Sequence, residues 1–354
     1  QFDIGLDEGK LNGTVNIPDS GIFSLPIFIK SDNSKVKLSH FLSGSIISYQ
    51  GTISDEQIDG ICEGFKENTT FKIKRISPNP AFFKTEEVQV KSGEADLFGT
   101  LVKPNSPLND YPVIIFIHGS GNQTRSRSVY RSLAYFFASR GIAGLVFDRQ
   151  GQGKSTGDKR PLLKMTTLAD DILTWIKYLK EHNFKTIGLH GLSQGGWVVP
   201  VAASLSDKVS FAIIDSAAGI SIEEQNLYLS ENLLQNKYNV SGENLKSVTK
   251  LLKEISDFNL FGKGDKNLIE AEMQKIRHES WFDKFFPQKG ELTTYDPYLK
   301  ETAMFDPISY WEKVKIPVYG VWGAEDSVVP SAKSRTIIEK ALKKARNKNY
   351  TFKT

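Results

Sequence analysis

The stretch "HGLSQGGW", residues His190 to Trp197, sets a serine between glycines two positions before it and two positions after. Thr186 to His190 in front of it is a short apolar run that predicts a strand, and Gly195 to Leu205 behind it has the composition and length of a helix. A serine on a sharp strand-to-helix turn is held in a strained backbone conformation, so its neighbours must be small enough for strand and helix to approach. Gly191, Gly195 and Gly196 meet that need. Gly191-Leu192-Ser193-Gln194-Gly195 therefore fits G-x-S-x-G in the context that a nucleophile elbow requires, with the Ser193 hydroxyl pointing into a cleft. The helix that begins at Gln194 aims its first N–H groups and its positive dipole end toward the place where an oxyanion would form. The plainer alternative, a glycine-rich turn with an incidental serine, does not call for strand, elbow and helix together.

A second glycine-rich turn, His118-Gly119-Ser120-Gly121, directly follows the apolar run Pro112 to Ile117. Acyl transfer needs two donors for the tetrahedral oxyanion, one from the residue after the nucleophile and one from an early strand loop. Gln194 N–H is expected as the first and Ser120 N–H as the second, with Gly121 as the alternative. His118 is expected to brace this loop.

Working outward, the chain has two parts. From Gly9 to about Ile76 short alternating segments are broken by turn residues: Gly13 to Ile17, Leu25 to Ile29, Val36 to Leu42, Ser45 to Tyr49 and Thr70 to Ile76. This pattern predicts an antiparallel β-meander. "LNGTVN" (Leu11 to Asn16) and "YQGTIS" (Tyr49 to Ser54) resemble each other weakly, too little for an array. Ser77 to Pro80 reads as a linker, so the expected domains are 1–78 and 79–354. Beyond it strands alternate with helices, the rhythm of a mostly parallel sheet covered on both faces. A charged, helix-rich insertion interrupts that rhythm from Ser221, with the β/α pattern returning at Ile316 to Gly323. Placed at the C-terminal edge of the sheet, where such sheets bind ligands, residues of about 221–305 are expected to form a helical lid.

Four motifs now stand in order: "IHGSG" (Ile117 to Gly121), "GIAGLVFDRQGQGKSTG" (Gly141 to Gly157), "GLSQGGW" (Gly191 to Trp197) and "GAEDSVVP" (Gly323 to Pro330). With them the chain from about Phe83 to Thr354 resembles the α/β-hydrolase fold, and more narrowly the serine esterases related to dienelactone hydrolases and to the serine aminopeptidase group. The β-meander resembles the small antiparallel β-domain that precedes some bacterial members. The resemblance implies a triad acid on a loop after a late strand, where Asp326 fits; Asp215, at the end of an earlier strand, is the alternative position, and Glu325 is expected to point outward. It also implies the chain order serine, acid, histidine. The five histidines are His40, His118, His182, His190 and His278, and none follows Asp326. Asn349 to Thr354 alternates like a final strand, so the expected histidine lies on a loop beyond Thr354. A base supplied by His278, or a binding protein of hydrolase fold without catalysis, are the alternatives.

One motif invites a different reading. "GQGKST" (Gly151 to Thr156) is close to a phosphate-binding loop, yet Asp148 stands where the first glycine is required, and Gly157 and Pro161 oppose an immediate helix. Nucleotide binding is rejected; Asp148 and Arg149 are expected to satisfy each other or nearby backbone.

Composition narrows the classes further. With 39% hydrophobic and 24% charged residues the chain is of soluble globular type, and no apolar run nears the roughly 18 residues of a membrane span. A net charge of +4 with interleaved signs gives little support to nucleic-acid binding; the basic stretch Lys340 to Lys348 reads as a solvated helix face. Cys62 is the single cysteine, and no histidine–carboxylate spacing suits a metal, so no cofactor or metal is expected. Gln1 in place of Met points to trimming, with a bacterial cytoplasmic or exported location both open. The expectation is a serine carboxyl-ester hydrolase for a small-molecule ester, with an aminopeptidase-like peptidase as alternative. A peptidase would want a carboxylate such as Glu223, Glu224 or Glu231 for a substrate amine. Tyr228, Tyr238, Phe258, Trp281, Phe282, Phe285 and Phe286 are expected either to line an apolar pocket or to pack the helices together.

Overall fold

The computed structural model describes residues 2–7, 10–17, 22–42, 45–64, 67–76, 83–106, 110–121, 124–160, 164–286 and 292–354. The expected linker Ser77 to Pro80, and with it the boundary at 78/79, lies outside the described residues.

The N-terminal part is one antiparallel sheet of seven strands in sequence order. Its strands are β1 (Phe2–Asp7), β2 (Lys10–Ile17), β3 (Ile22–Asp32), β4 (Lys35–Leu42), β5 (Ser45–Ser54), β6 (Gln57–Glu63) and β7 (Thr69–Lys74). Alternation puts Val15, Ile27, Val36 and Leu38 on one buried face, with Tyr49, Ile58 and Ile73 packed against them. The meander expected from the sequence is present, with two further strands. β1 alternates Phe2, Ile4 and Leu6 with Asp3, Gly5 and Asp7 but lies before Gly9, where the expected meander begins, and in β6 the alternation is broken by Gly60 and by the outward Ile61, 49% exposed.

The second sheet has eight strands in the order β15-β14-β13-β12-β10-β11-β9-β8. β8 (Phe83–Ser92) and β9 (Ala95–Pro104) form an antiparallel hairpin, and β9 pairs antiparallel with β11 (Ala143–Phe147). β10 (Val113–Ile117) runs parallel to β11. β12 (Ile187–Leu192) comes next, and β13 (Val209–Asp215), β14 (Val318–Val321) and β15 (Tyr350–Lys353) are parallel to one another. Every position of β10 and β11 is buried, as befits strands covered on both faces. Between the strands lie α1 (Ser128–Ala138), α2 (Met165–Glu181), α3 (Gly195–Leu205) and α10 (Ser331–Lys344). The architecture is the α/β-hydrolase fold preceded by an antiparallel β-domain.

Between β13 and β14 the chain inserts α4 (Ile222–Tyr238), α5 (Gly242–Phe261), α6 (Lys266–Lys275), α7 (Phe282–Phe285), α8 (Pro297–Ala303) and α9 (Ile308–Trp311). Local chemistry sets several of their ends. Ser221 caps α4 by accepting from Glu224 N–H, Asp265 caps α6, and Asp296 with Pro297 starts α8. Asn239 and Gly262 stop α4 and α5 in the left-handed conformation.

Contacts divide the chain into two compact units, 1–116 with 121–160 and 174–188, and 117–120 with 161–173 and 189–354. Inside the first, the β-domain is tied to α1. Arg131 pairs with Asp3 at 3.0 Å, the Ser132 hydroxyl donates to Asp3 at 2.7 Å, and the hydroxyls of Thr14 and Ser132 meet at 2.9 Å.

The same unit holds the "GQGKST" segment, a succession of turns with no helix at once behind it. Asp148 is only 2% exposed and is its centre. It accepts from Arg125 N–H at 2.9 Å and Lys154 N–H at 3.0 Å, and its counter-ion is Arg125 at 3.5 Å. Arg149 donates to Gly121 O at 3.3 Å, so backbone groups, one of the two arrangements expected for this pair, serve both residues. Chain turns bring Arg125 to Asp148 from 23 residues away, which no local pattern announces. Removing the carboxylate strands two backbone donors and takes one partner from a mostly buried guanidinium, which keeps Glu87 at 2.6 Å and Gly99 O at 3.0 Å. Asp148→Ala is expected to lower stability by about 3 kcal/mol, measured by urea unfolding.

Candidate active site

Ser193 sits on the two-residue turn between β12 and α3 with φ +51°, a left-handed conformation that L-residues seldom adopt. Three constraints hold it there. Its N–H donates to Asp215 O at 2.8 Å, tying the turn to the end of β13. A side chain at Gly191 would meet Gly195 O at 2.5 Å, so strand and helix close on each other only through glycine. A side chain at Gly195 would collide with the Ile117 carbonyl, which brings the start of α3 against the segment Ile117 to Ser120. The strained serine and the glycines that permit it are one feature.

That segment places the two expected donor residues on neighbouring stretches of chain. Gln194, buried, opens α3 in helical conformation, and Ser120 is exposed on the loop after β10. His118 is buried at the root of the loop, a place suited to bracing it.

Asp326 lies on the loop after β14, half-buried. Its Oδ1 accepts from Val328 N–H at 2.8 Å and Val329 N–H at 2.9 Å, an arrangement that fixes the carboxylate plane. Glu325 beside it is exposed, as expected. Asp215 stands at the other end of the same cluster. Burial pushes its carboxyl up; a hydrogen bond with Ser216 opposes this, and the charge of Asp326 adds to it. The two acids read as alternatives from sequence are therefore electrostatic neighbours.

Several supporting residues carry no sequence signal. Trp322 Nε1 donates to Ala217 O at 2.8 Å and Trp197 Nε1 to Ile220 O at 3.0 Å, fixing the chain after β13. Ser216, at φ +48°, donates its N–H to Val321 O at 2.8 Å, and Ser331 Oγ donates to Gly323 O at 2.8 Å. Tyr228 of α4, one of the aromatics assigned to a pocket or to packing, donates its hydroxyl to Asp326 O at 3.1 Å. Trp281, Phe282 and Phe286 are core residues of the helical insertion itself, and Tyr238, Phe258 and Phe285 pack against that core. They take the packing role.

The histidines scatter. His40 is buried in β4 beside Tyr49, His182 lies on the surface at the end of α2, and His278 is exposed in the turn after α6 near Glu279. His190 is buried in β12, three residues before Ser193. A separate concavity of about 420 Å3 on the first sheet, lined by Lys30, Lys35, Lys37, Gln50 and Thr52 among others, holds no residue of the elbow or the acid loop. Among the described residues no group of three His, Cys, Asp or Glu side chains is arranged to hold a metal, and no helix is long and apolar enough to cross a membrane.

Burial pushes the His190 imidazole down from 6.5 to about 4. The unfolded chain takes up this proton below pH 6.5, whereas the folded protein takes it up only near pH 4. Stability therefore falls as pH drops through that window, by up to about 3 kcal/mol. Asp215, with its carboxyl pushed up, acts in the opposite direction, so a variant comparison isolates the histidine. Urea unfolding at pH 7 and pH 4.5 is expected to show a smaller acid loss in His190→Asn than in the parent.

Comparison with known proteins follows from this geometry. Residues 110–271 match the family model described as serine aminopeptidase, S33. No curated protein matches the chain. Among solved structures, the Pyrococcus furiosus esterase Pf2001 is 19% identical, with 80% of this chain and 86% of that one covered and a TM-score of 0.49. Est1E from Butyrivibrio proteoclasticus with bound ferulic acid is 20% identical, covering 75% and 88%, with a TM-score of 0.49. The Pyrococcus horikoshii acylaminoacyl peptidase is 20% identical, covering 98% and 54%, with a TM-score of 0.49. Its strand order and the strained serine between β12 and α3 give the chain the α/β-hydrolase fold, and residues 110–271 within it are similar to the serine aminopeptidase, S33 family.

Proposed function

We propose that this chain is a serine carboxyl-ester hydrolase that works through an acyl-enzyme on small or medium acyl esters. The observation that carries the reading is the left-handed Ser193 at the strand–helix elbow, locked by its N–H bond to Asp215 O. Ser193 Oγ attacks the ester carbonyl, and a histidine takes its proton. Asp326 Oδ2 orients that imidazole and balances its charge. The N–H groups of Gln194 and Ser120 receive the developing oxyanion, a contribution of about 3 kcal/mol per donor. The histidine then protonates the departing alcohol, and water releases the acid by the same steps in reverse. In the chain order that the resemblance implies, this histidine comes after the acid. The helical insertion serves as the lid.

The matched family description favours one second reading, a peptidase of aminopeptidase type. Of the three carboxylates weighed for gripping a substrate amine, Glu224 already pairs with Lys333, and Glu223 lies near Tyr295, whose hydroxyl burial pushes up and that carboxylate raises further. Glu231 is exposed on α4.

The test uses the full-length protein. A fluorophosphonate probe is expected to label Ser193, and Ser193→Ala to lose the label and about four or more orders of magnitude in turnover. Absence of label in the parent overturns the enzyme reading. p-Nitrophenyl esters are expected to be cleaved in preference to aminoacyl arylamides; the reverse preference establishes the peptidase reading in its place. Asp326→Asn is expected to cost about 10³- to 10⁴-fold in kcat, and a larger loss from Asp215→Asn moves the acid role to that residue.

A further inference from the structure

α4 meets the acid loop and the helix that follows it at two points one helical turn apart. Tyr228 donates its hydroxyl to Asp326 O at 3.1 Å, and Glu224, four residues earlier, pairs with Lys333 on α10, just beyond that loop. Spacing of four puts both side chains on one face of the helix. The rest of α4 belongs to the insertion: Leu234 is part of its buried core and Leu227 packs against that core. Behind the helix, the chain from Ala217 to Ile220 is pinned by the indoles of Trp322 and Trp197. α4 is thus anchored at its start, loaded by the insertion along one face, and clamped to the acid loop along another.

We infer that Tyr228 is a positioning residue through which the helical insertion sets the acid loop: its hydroxyl holds the Asp326 carbonyl, and with it the peptide from which the carboxylate is hung. Asp326 Oδ1 is already bound to Val328 and Val329 N–H, so the carboxylate and the loop backbone move together. A hydrogen bond on the main-chain oxygen fixes the remaining side of that peptide. When α4 shifts with the insertion, the phenol leaves and Oδ2 loses its aim at the imidazole. Lys333–Glu224 adds a second, exposed and therefore weaker, tether. The inference rests on the acyl-enzyme reading above and extends it, since it makes acid alignment depend on where the insertion sits.

The experiment compares Tyr228→Phe, Lys333→Met and the double variant with the parent in full-length protein, by ester turnover, thermal melting and the rate of fluorophosphonate labelling. Tyr228→Phe keeps the ring and its packing and removes only the donor. It is expected to lower kcat and the labelling rate together by about three- to tenfold, the equivalent of one ordinary hydrogen bond, with KM and Tm held. Lys333→Met is expected to do the same by about twofold, and the double variant to fall short of the product, because both act through one helix. Unchanged kcat and labelling in Tyr228→Phe, with the parent labelled at Ser193, overturns this inference alone. A fall in KM-dependent terms only, or a fall in kcat that tracks a lower Tm while Lys333→Met is unaffected, also overturns it. No label in the parent overturns the acyl-enzyme reading first and this inference with it.

Discussion

The hydrogen bond from Ser193 N–H to the Asp215 carbonyl is the constraint around which the second compact unit is arranged. A residue at φ +51° stores strain of order 1–3 kcal/mol and persists only where its surroundings over-determine it. Here the bond ends β13 against the turn that ends β12, and α3 leaves the turn so steeply that carbonyls fill the space a side chain would need at Gly191 and Gly195. Enlarging Gly191 forces β12 and α3 apart, enlarging Gly195 forces α3 off the Ile117 carbonyl, and either change lets the serine relax. The strained serine and the packing that supports it are therefore not separable.

A similar economy governs the chain beyond β13. The backbone turns sharply at Ser216, whose N–H is bound by Val321, and it is then held by two buried indoles before α4 begins. Tryptophan suits this task because each ring fills volume while its single donor fixes one carbonyl. Trp322 comes from the end of β14 and Trp197 from the first turn of α3, so the strand that carries the acid loop and the helix that carries the elbow grip the same few residues. The base of the insertion is thereby fixed to both halves of the candidate site.

Electrostatics follow from that crowding. Asp215 and Asp326 are close enough for the charge of one to raise the carboxyl of the other, though burial is the larger cause. The surroundings of the two differ: Val328 and Val329 N–H both bind Asp326 Oδ1, while burial is what pushes the Asp215 carboxyl up.

How much of this was legible in the chain depends on the range of the interaction. The elbow was readable because its demands are local: a strand, a small–x–Ser–x–small turn and a helix are adjacent in sequence, and the sterics act over five residues. The parallel strands were readable for the same reason, since full burial leaves unbroken apolar runs. β6 was not, because Gly60 and the outward Ile61 break its alternation and its place is set by pairing with β5 and β7. Arg125 as the partner of Asp148, Tyr228 on the Asp326 carbonyl and the shared field of Asp215 and Asp326 were likewise hidden. They join residues 23, 98 and 111 positions apart through side chains whose types are ordinary anywhere in a protein. Sequence by itself determined the fold class and the strained serine, because backbone sterics and burial write short-range patterns; only the tertiary structure decided which polar groups meet, because hydrogen bonds and ion pairs across the fold depend on distance in space and leave no periodic mark.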